Sequence, residues 1–114
     1  MEDTIFDKIL RKEIPAKVVY EDEHVMAFHD THPQAPVHIL VIPKKKREGV
    51  QAFSKASAEE IGTYMIAVAK VASQLGLDAD GYRVVFNQGK NGQQTVAYVH
   101  AHILGGRQMA WPPG

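Results

Sequence analysis

Apolar residues recur at three- and four-residue intervals in two stretches of the chain and crowd into short β-branched and aromatic runs elsewhere, which predicts two helices set among strands. Ile5, Phe6, Ile9 and Leu10 form the first helical stretch; Asp3 or Thr4 can cap it, and Pro15 bounds it on the far side. Residues 17–21 and 25–29 flank the polar Glu21-Asp22-Glu23-His24 and read as a hairpin. Pro33 and Pro36 force an irregular connection before a third strand over 37–42, which Pro43 stops. Ser57 and Glu60 have capping-box spacing, and Ile61, Tyr64, Met65, Val68, Ala72 and Leu75 then keep a helical stripe up to Gly76, suited to covering one face of a sheet. A fourth strand over 82–87, a glycine-rich turn over 88–94 and a fifth strand over 95–104 read as an antiparallel hairpin. Five strands with two helices placed outside a regular β-α-β alternation predict an α+β fold, an antiparallel sheet with one short and one long helix, as one domain over residues 1–114.

The fifth strand carries the candidate chemistry. Side chains alternate faces along a strand, so His100 and His102 point the same way, with Cα atoms roughly 6.5 to 7 Å apart, while Val99, Ala101 and Ile103 face a core. Hydrogen-bonded structural histidines and a ligand-facing pair are equally good accounts of this spacing alone. His38 on the third strand, with Asn87 and Thr95 on the hairpin, can join the same sheet face. Asp30 is either a turn residue or a carboxylate placed to hold ribose hydroxyls, and Phe6 and Ile14 are either core or the walls of a slot for a planar base.

Composition narrows the chemistry. Thirteen basic residues balance thirteen acidic ones in 114 residues, so no overall field draws the protein to nucleic acid or to an anionic membrane. The Lys44-Lys45-Lys46-Arg47 run is too short to reverse that, and it receives no catalytic role. Absence of cysteine excludes disulfides and thiolate chemistry and fits a reducing compartment. No apolar run approaches the roughly 18 residues of a membrane span, and the charged start does not resemble a signal peptide, which together predict a cytosolic or nuclear protein. The glycine turn lacks the phosphate-binding patterns of P-loop and dinucleotide folds.

Two reactions suit three histidines. Zinc could sit on imidazoles with an open position, but no glutamate stands beside them to act as base, and the sequence favours a site without metal or other cofactor. Histidine can alternatively be the nucleophile, since an imidazole nitrogen attacks phosphorus near neutral pH and leaves readily in a second step.

Over nearly its whole length the chain resembles the nucleotide-binding branch of the histidine triad family, the purine nucleoside phosphoramidases. The resemblance runs from Asp3-Thr4-Ile5-Phe6 and Arg11-Lys12-Glu13-Ile14-Pro15-Ala16 through Phe28-His29-Asp30 and Pro33-Gln34-Ala35-Pro36-Val37-His38. It continues over Gly81-Tyr82-Arg83, Asn87 and Gly92-Gln93-Gln94-Thr95, then Leu104-Gly105-Gly106-Arg107-Gln108-Met109 and Trp111-Pro112-Pro113-Gly114. It implies hydrolysis of a P–N bond through a nucleotidyl-His100 intermediate. His102, His38 and Thr95 would complete the catalytic set, with Asp30 on the ribose, Phe6, Ile14 and His29 around the base, and Asn87 near the phosphate. It also implies a homodimer whose apolar C-terminal tail reaches the partner. The family motif is His-x-His-x-His, and Tyr98 stands where the first histidine belongs. A tyrosine is a poor proton relay, so the resemblance leaves open a nucleotide-binding or protein-interaction module with weakened catalysis. Ala97, Ala101 and Ala110 are lesser departures.

Overall fold

Thr4 starts the first helix, α1 (Ile5–Leu10). Its hydroxyl accepts from the Phe6 and Asp7 amides, and Asp7 returns a bond to the Thr4 amide at 2.7 Å, a complete capping box. The computed structural model describes residues 2–114. The remaining elements are β1 (Val18–Glu21), β2 (Val25–His29), β3 (Val37–Pro43), α2 (Ala58–Gln74), β4 (Tyr82–Val85) and β5 (Ala101–Gly105), with a 3-10 turn over Val50–Lys55 that sequence pattern did not announce. The strands form one antiparallel sheet in the order β1-β2-β3-β5-β4. This is the α+β architecture expected from the sequence.

Alternation along the strands sorts the core into two layers. Val25, Ala27, Ile39, Val41, Ala101 and Ile103 face α2 and pack on Tyr64, Val68, Val71 and Ala72. Met26, Phe28, Leu40 and Ile42 face the other way, against Phe6 and Ile9 of α1 and against Tyr98. Full burial of each large apolar side chain contributes about 1.5 to 3 kcal/mol, so α2 is held chiefly by this stripe. Tyr64 adds direction, because its hydroxyl donates to the Val41 carbonyl at 2.7 Å and accepts from the Ala101 amide at 3.1 Å. Among the described residues no helix is long and apolar enough to cross a membrane.

Three strands are shorter than their sequence pattern: β1 by one residue, β4, which ends at Val85 and not at residue 87, and most of all β5. The ladder of β5 begins at Ala101, opposite Val41, rather than at residue 95. Upstream, Pro43 has ended β3, and the Val99 amide instead donates to the Arg47 carbonyl at 2.7 Å. Residues 95–100 are therefore held by a loop, although Tyr98, Val99 and His100 are buried. The basic run that supplies this loop is neutralised internally. Lys44 pairs with Glu21, Lys45 and Arg47 with Glu60, and Lys46 with Asp7. Glu60 consequently faces Arg47 and Lys45 while the Ser57 hydroxyl caps α2 by accepting from the Glu60 amide at 3.0 Å.

The C-terminal tail stays at the surface of the chain, tied to it by Arg83, whose guanidinium lies 6.0 Å over the Trp111 ring. Arg83 holds the Ala110 carbonyl at 2.9 Å, and Trp111 is 82% exposed.

Candidate active site

His38 and His102 meet because of strand register. His38 lies opposite Leu104 and His102 opposite Leu40, so the two histidines are diagonal neighbours on one face of the β3–β5 pair. His38 Nε2 and His102 Nδ1 are 2.9 Å apart. His100, two residues before His102, shares that face, and the two ring centroids are 4.9 Å apart.

Main-chain partners assign the protons on His38 and His100, and the His102 proton follows from that of His38. The Gln34 amide donates to His38 Nδ1 at 2.9 Å, and an amide can only donate, so neutral His38 carries its proton on Nε2. That proton goes to His102 Nδ1, which places the His102 proton on Nε2, a buried atom with no partner. His100 Nδ1 lies 2.7 Å from the Tyr98 carbonyl, which can only accept, so its proton is on Nδ1 and Nε2 is a bare lone pair. Burial lowers the pKa of all three rings. His102 falls furthest, to about 4, because burial is reinforced by repulsion from His100 and His38; Asp30 offsets part of the effect on each ring. At neutral pH the cluster is uncharged.

A cleft of about 300 Å³ opens over these rings. Phe6, Ile14, Asp30, Thr95, His100 and His102, all expected from the sequence, line it. Phe6 stands edge-on to both His100 and Phe28, at 5.0 and 5.6 Å between centroids. His38 is buried and meets the cleft through two lining residues, His102 and Asp30, whose Oδ2 lies 3.4 Å from His38 Nε2. His29 and Asn87 do not line it: alternation turns His29 to the face opposite Phe28, where it is exposed, and Asn87 is half-buried beyond the end of β4. Sequence reasoning passed over Phe28, Thr31, His32 and Val96, which also line the cleft. Thr31 and His32 directly follow Asp30, and the His32 amide donates to Asp30 Oδ1 at 2.8 Å, so proximity to Asp30 was their available signal.

Tyr98 is wholly buried, packed on Phe6 with 6.0 Å between ring centroids, and its hydroxyl donates to the Pro43 carbonyl. Its single proton is thus engaged away from the imidazoles, and the side chain fills space rather than joining the histidine network.

Asp30, His38 and His102 offer three ligand atoms within 4.8 Å of one another. Their hydrogen bonding does not suit a metal. Ligation through His38 Nε2 would move the ring proton to Nδ1, where it would confront the Gln34 N–H, and would break the bond to His102.

The HIT domain family model matches residues 11–109 of the chain. A Zea mays relative named "14 kDa zinc-binding protein" is 60% identical, with 97% of this chain and 88% of the relative covered. An Arabidopsis thaliana relative named "Adenylylsulfatase HINT1" is 53% identical, with 97% of this chain and 76% of the relative covered. The crystal structure of a HIT family hydrolase from Legionella pneumophila Philadelphia 1 superposes with a TM-score of 0.92 at 46% identity, covering 98% of this chain and all of that one.

Proposed function

Since the chain belongs to the HIT domain family, we propose that residues 1–114 act as one domain that binds a purine nucleoside monophosphate unit and hydrolyses a bond at its phosphorus through His100. The observation that carries this reading is the bare, uncharged Nε2 of His100, held ready by the Nδ1 bond to the Tyr98 carbonyl. Nε2 attacks phosphorus, the P–N bond of a phosphoramidate breaks, and the departing nitrogen keeps the electron pair and takes a proton from water. The Tyr98 carbonyl stabilises the positive imidazole that results. Water then attacks the nucleotidyl-His100, the pair of the breaking bond returns to Nε2, and the nucleoside monophosphate leaves.

The surroundings supply binding and orientation. Phe6, Ile14 and Phe28 offer apolar surface for the base, Asp30 a carboxylate for the ribose, and the unpartnered His102 N–H a donor for a phosphate oxygen. A buried donor without a partner costs about 1 to 3 kcal/mol, which an acceptor in the cleft would recover. We assign His29 and Asn87 no contact within the single chain.

A second reading concerns the leaving group. The neutral His38–His102 pair has no spare proton, and the Tyr98 hydroxyl donates its hydrogen bond to the Pro43 carbonyl. Substrates whose leaving group departs as a stable anion therefore suit this site better than basic amines, and sulfate is such a group. The Arabidopsis relative's name, an adenylylsulfatase, agrees with that chemistry. The Zea mays relative's name is zinc-binding, but the proton placement on His38 argues against a zinc ion at this cluster, and no step here uses one.

The test is single-turnover hydrolysis of an adenosine phosphoramidate, with the covalent intermediate trapped by acid-free quench. His100→Ala should abolish turnover while adenosine monophosphate affinity stays within about tenfold, as expected for losing transition-state chemistry and not ground-state contacts. Wild-type protein that binds the nucleotide but shows no single turnover would favour a binding module instead.

The working unit we propose is a homodimer in the cytosol or nucleus. One edge of β4 is unpaired, and Ile66 and Trp111 are 58% and 82% exposed, more apolar surface than a lone chain needs to show. Sedimentation at micromolar concentration should give twice the chain mass; a monomer with full activity would overturn this.

A further inference from the structure

The Asp30–Val37 connection has an unusual shortage of amide donors, because Pro33 and Pro36 have none. The Gln34 peptide in its middle is bound from both sides. Its N–H goes to His38 Nδ1, and its carbonyl accepts from Arg107 Nε and Nη2, both at 3.1 Å. Arg107 reaches Gln34 because the chain turns sharply after β5. Gly106 has φ +87°, and a Cβ there would stand 2.9 Å from Pro36 Cβ, so only glycine lets this turn press against the proline loop.

We propose that Arg107 is a positioning residue that selects the tautomers of His38 and His102. The two rings have two self-consistent neutral arrangements. In one, His38 donates from Nε2 and His102 presents an N–H at its own Nε2. In the other, both protons shift: His38 holds its proton on Nδ1, His102 donates from Nδ1, and His102 Nε2 becomes a bare lone pair. The second arrangement would turn a lone pair toward any phosphate oxygen in the cleft and repel it. A Gln34 N–H fixed in front of His38 Nδ1 opposes the second arrangement, since two donors would face each other, and Asp30 Oδ2, 3.4 Å from His38 Nε2, opposes it more weakly from the other side of the ring. Arg107 fixes the Gln34 N–H, and by drawing charge toward the Gln34 carbonyl it also strengthens that N–H as a donor. The geometry thus connects a residue outside the cleft to the polarity of a buried atom on a ring that lines it, through one peptide group and two rings. The tautomer claim stands apart from any reaction; its consequence for phosphate binding rests on the nucleotide reading above.

The experiment is imidazole nitrogen NMR on protein labelled with ¹⁵N-histidine, without ligand and above neutral pH, where protonated and bare ring nitrogens are well separated. Wild-type protein should show His38 and His102 each protonated on Nε2, with the exposed His24 and His29 as internal references. Arg107→Ala should lower the ratio of native to shifted tautomer for both rings together, by roughly threefold to tenfold, the net worth of one ordinary solvent-exposed hydrogen bond. Arg107→Lys keeps the charge without the two-point grip and should fall between. Mixed tautomers in the wild type, or unchanged tautomers in a folded Arg107→Ala protein, would overturn the proposal; should the alanine variant not fold, an unchanged Arg107→Lys would do the same. Adenosine monophosphate affinity should drop in step with the tautomer ratio. A tautomer shift in a protein that binds no nucleotide in either form would leave the clamp standing and remove the nucleotide reading.

Discussion

At position 98 the main chain and the side chain serve different parts of the molecule. The carbonyl accepts from His100 Nδ1 and so fixes which nitrogen of that ring is bare, a contact any residue could make. The hydroxyl donates to Pro43, and the ring fills the layer beside Phe6, with the Lys46 ammonium 5.7 Å from its centroid. Replacing histidine by tyrosine here would therefore leave the nucleophile's geometry intact while removing one imidazole from the cluster. Burial holds the phenol proton far above its usual range, so Tyr98 cannot act as a neutral-pH relay. Tyr98→His should raise turnover of phosphoramidates with basic amine leaving groups and change adenylyl sulfate hydrolysis much less. It should also lower stability by about 1 to 3 kcal/mol, because the Pro43 carbonyl loses its donor and the apolar layer gains a polar ring. Paired rate measurements on both substrates decide the matter; the same rate change on each would sink the relay argument.

At the scale of elements, legibility followed periodicity. α1, α2 and the β1–β2 hairpin were readable because each carries an uninterrupted apolar period and a chemically distinct start or stop, such as Thr4, Ser57 or Asp22. The fifth strand was overextended because residues 95–100 carry a strand's residue types and 98–100 are buried like one, and pattern cannot tell a ladder from a single bond to a passing loop such as Val99 to Arg47. The 3-10 turn over Val50–Lys55 buries none of its residues fully and so leaves no stripe to detect. At the site, sequence spacing could place His100 and His102 on one face, and the strand pattern could add His38 to it. Neither could reveal the proton arrangement, because its determinants are the Gln34 amide and the Tyr98 carbonyl, main-chain groups that every residue type carries apart from the amide of proline. Main-chain contacts are invisible to side-chain identity.

At the scale of the whole molecule, the same burial that readies the histidines makes the fold sensitive to acid in two separate windows. His102 titrates near 6.5 in an unfolded chain but at about 4 in the fold, and His38 and His100 are displaced in the same direction by burial. As pH falls below 6.5 the unfolded chain takes up protons that the folded chain refuses, so stability declines with acidification and the His102 contribution is fully lost below about 4. A second group acts lower. Burial alone would raise the Asp7 carboxyl, but hydrogen bonds from Lys46 and Thr4 bring it to about 2, while Glu60 is brought to about 2 by Arg47 and Lys45. These carboxylates stabilise the fold above their unfolded values near 4 and lose that effect as pH drops toward 2. The two windows differ in origin and hence in salt response. Desolvation of buried rings is nearly indifferent to ionic strength, whereas the Glu60 pairs lie at the surface and are screened. Urea denaturation at fixed protein concentration should therefore show a decline from pH 6.5 to 4 that survives added salt and flattens in His102→Gln, followed by a further decline that salt weakens. A His102→Gln protein with the wild-type slope between pH 6.5 and 4 would show that the ring is not held neutral by the fold, and the uncharged cluster on which the nucleophile depends would fall with it.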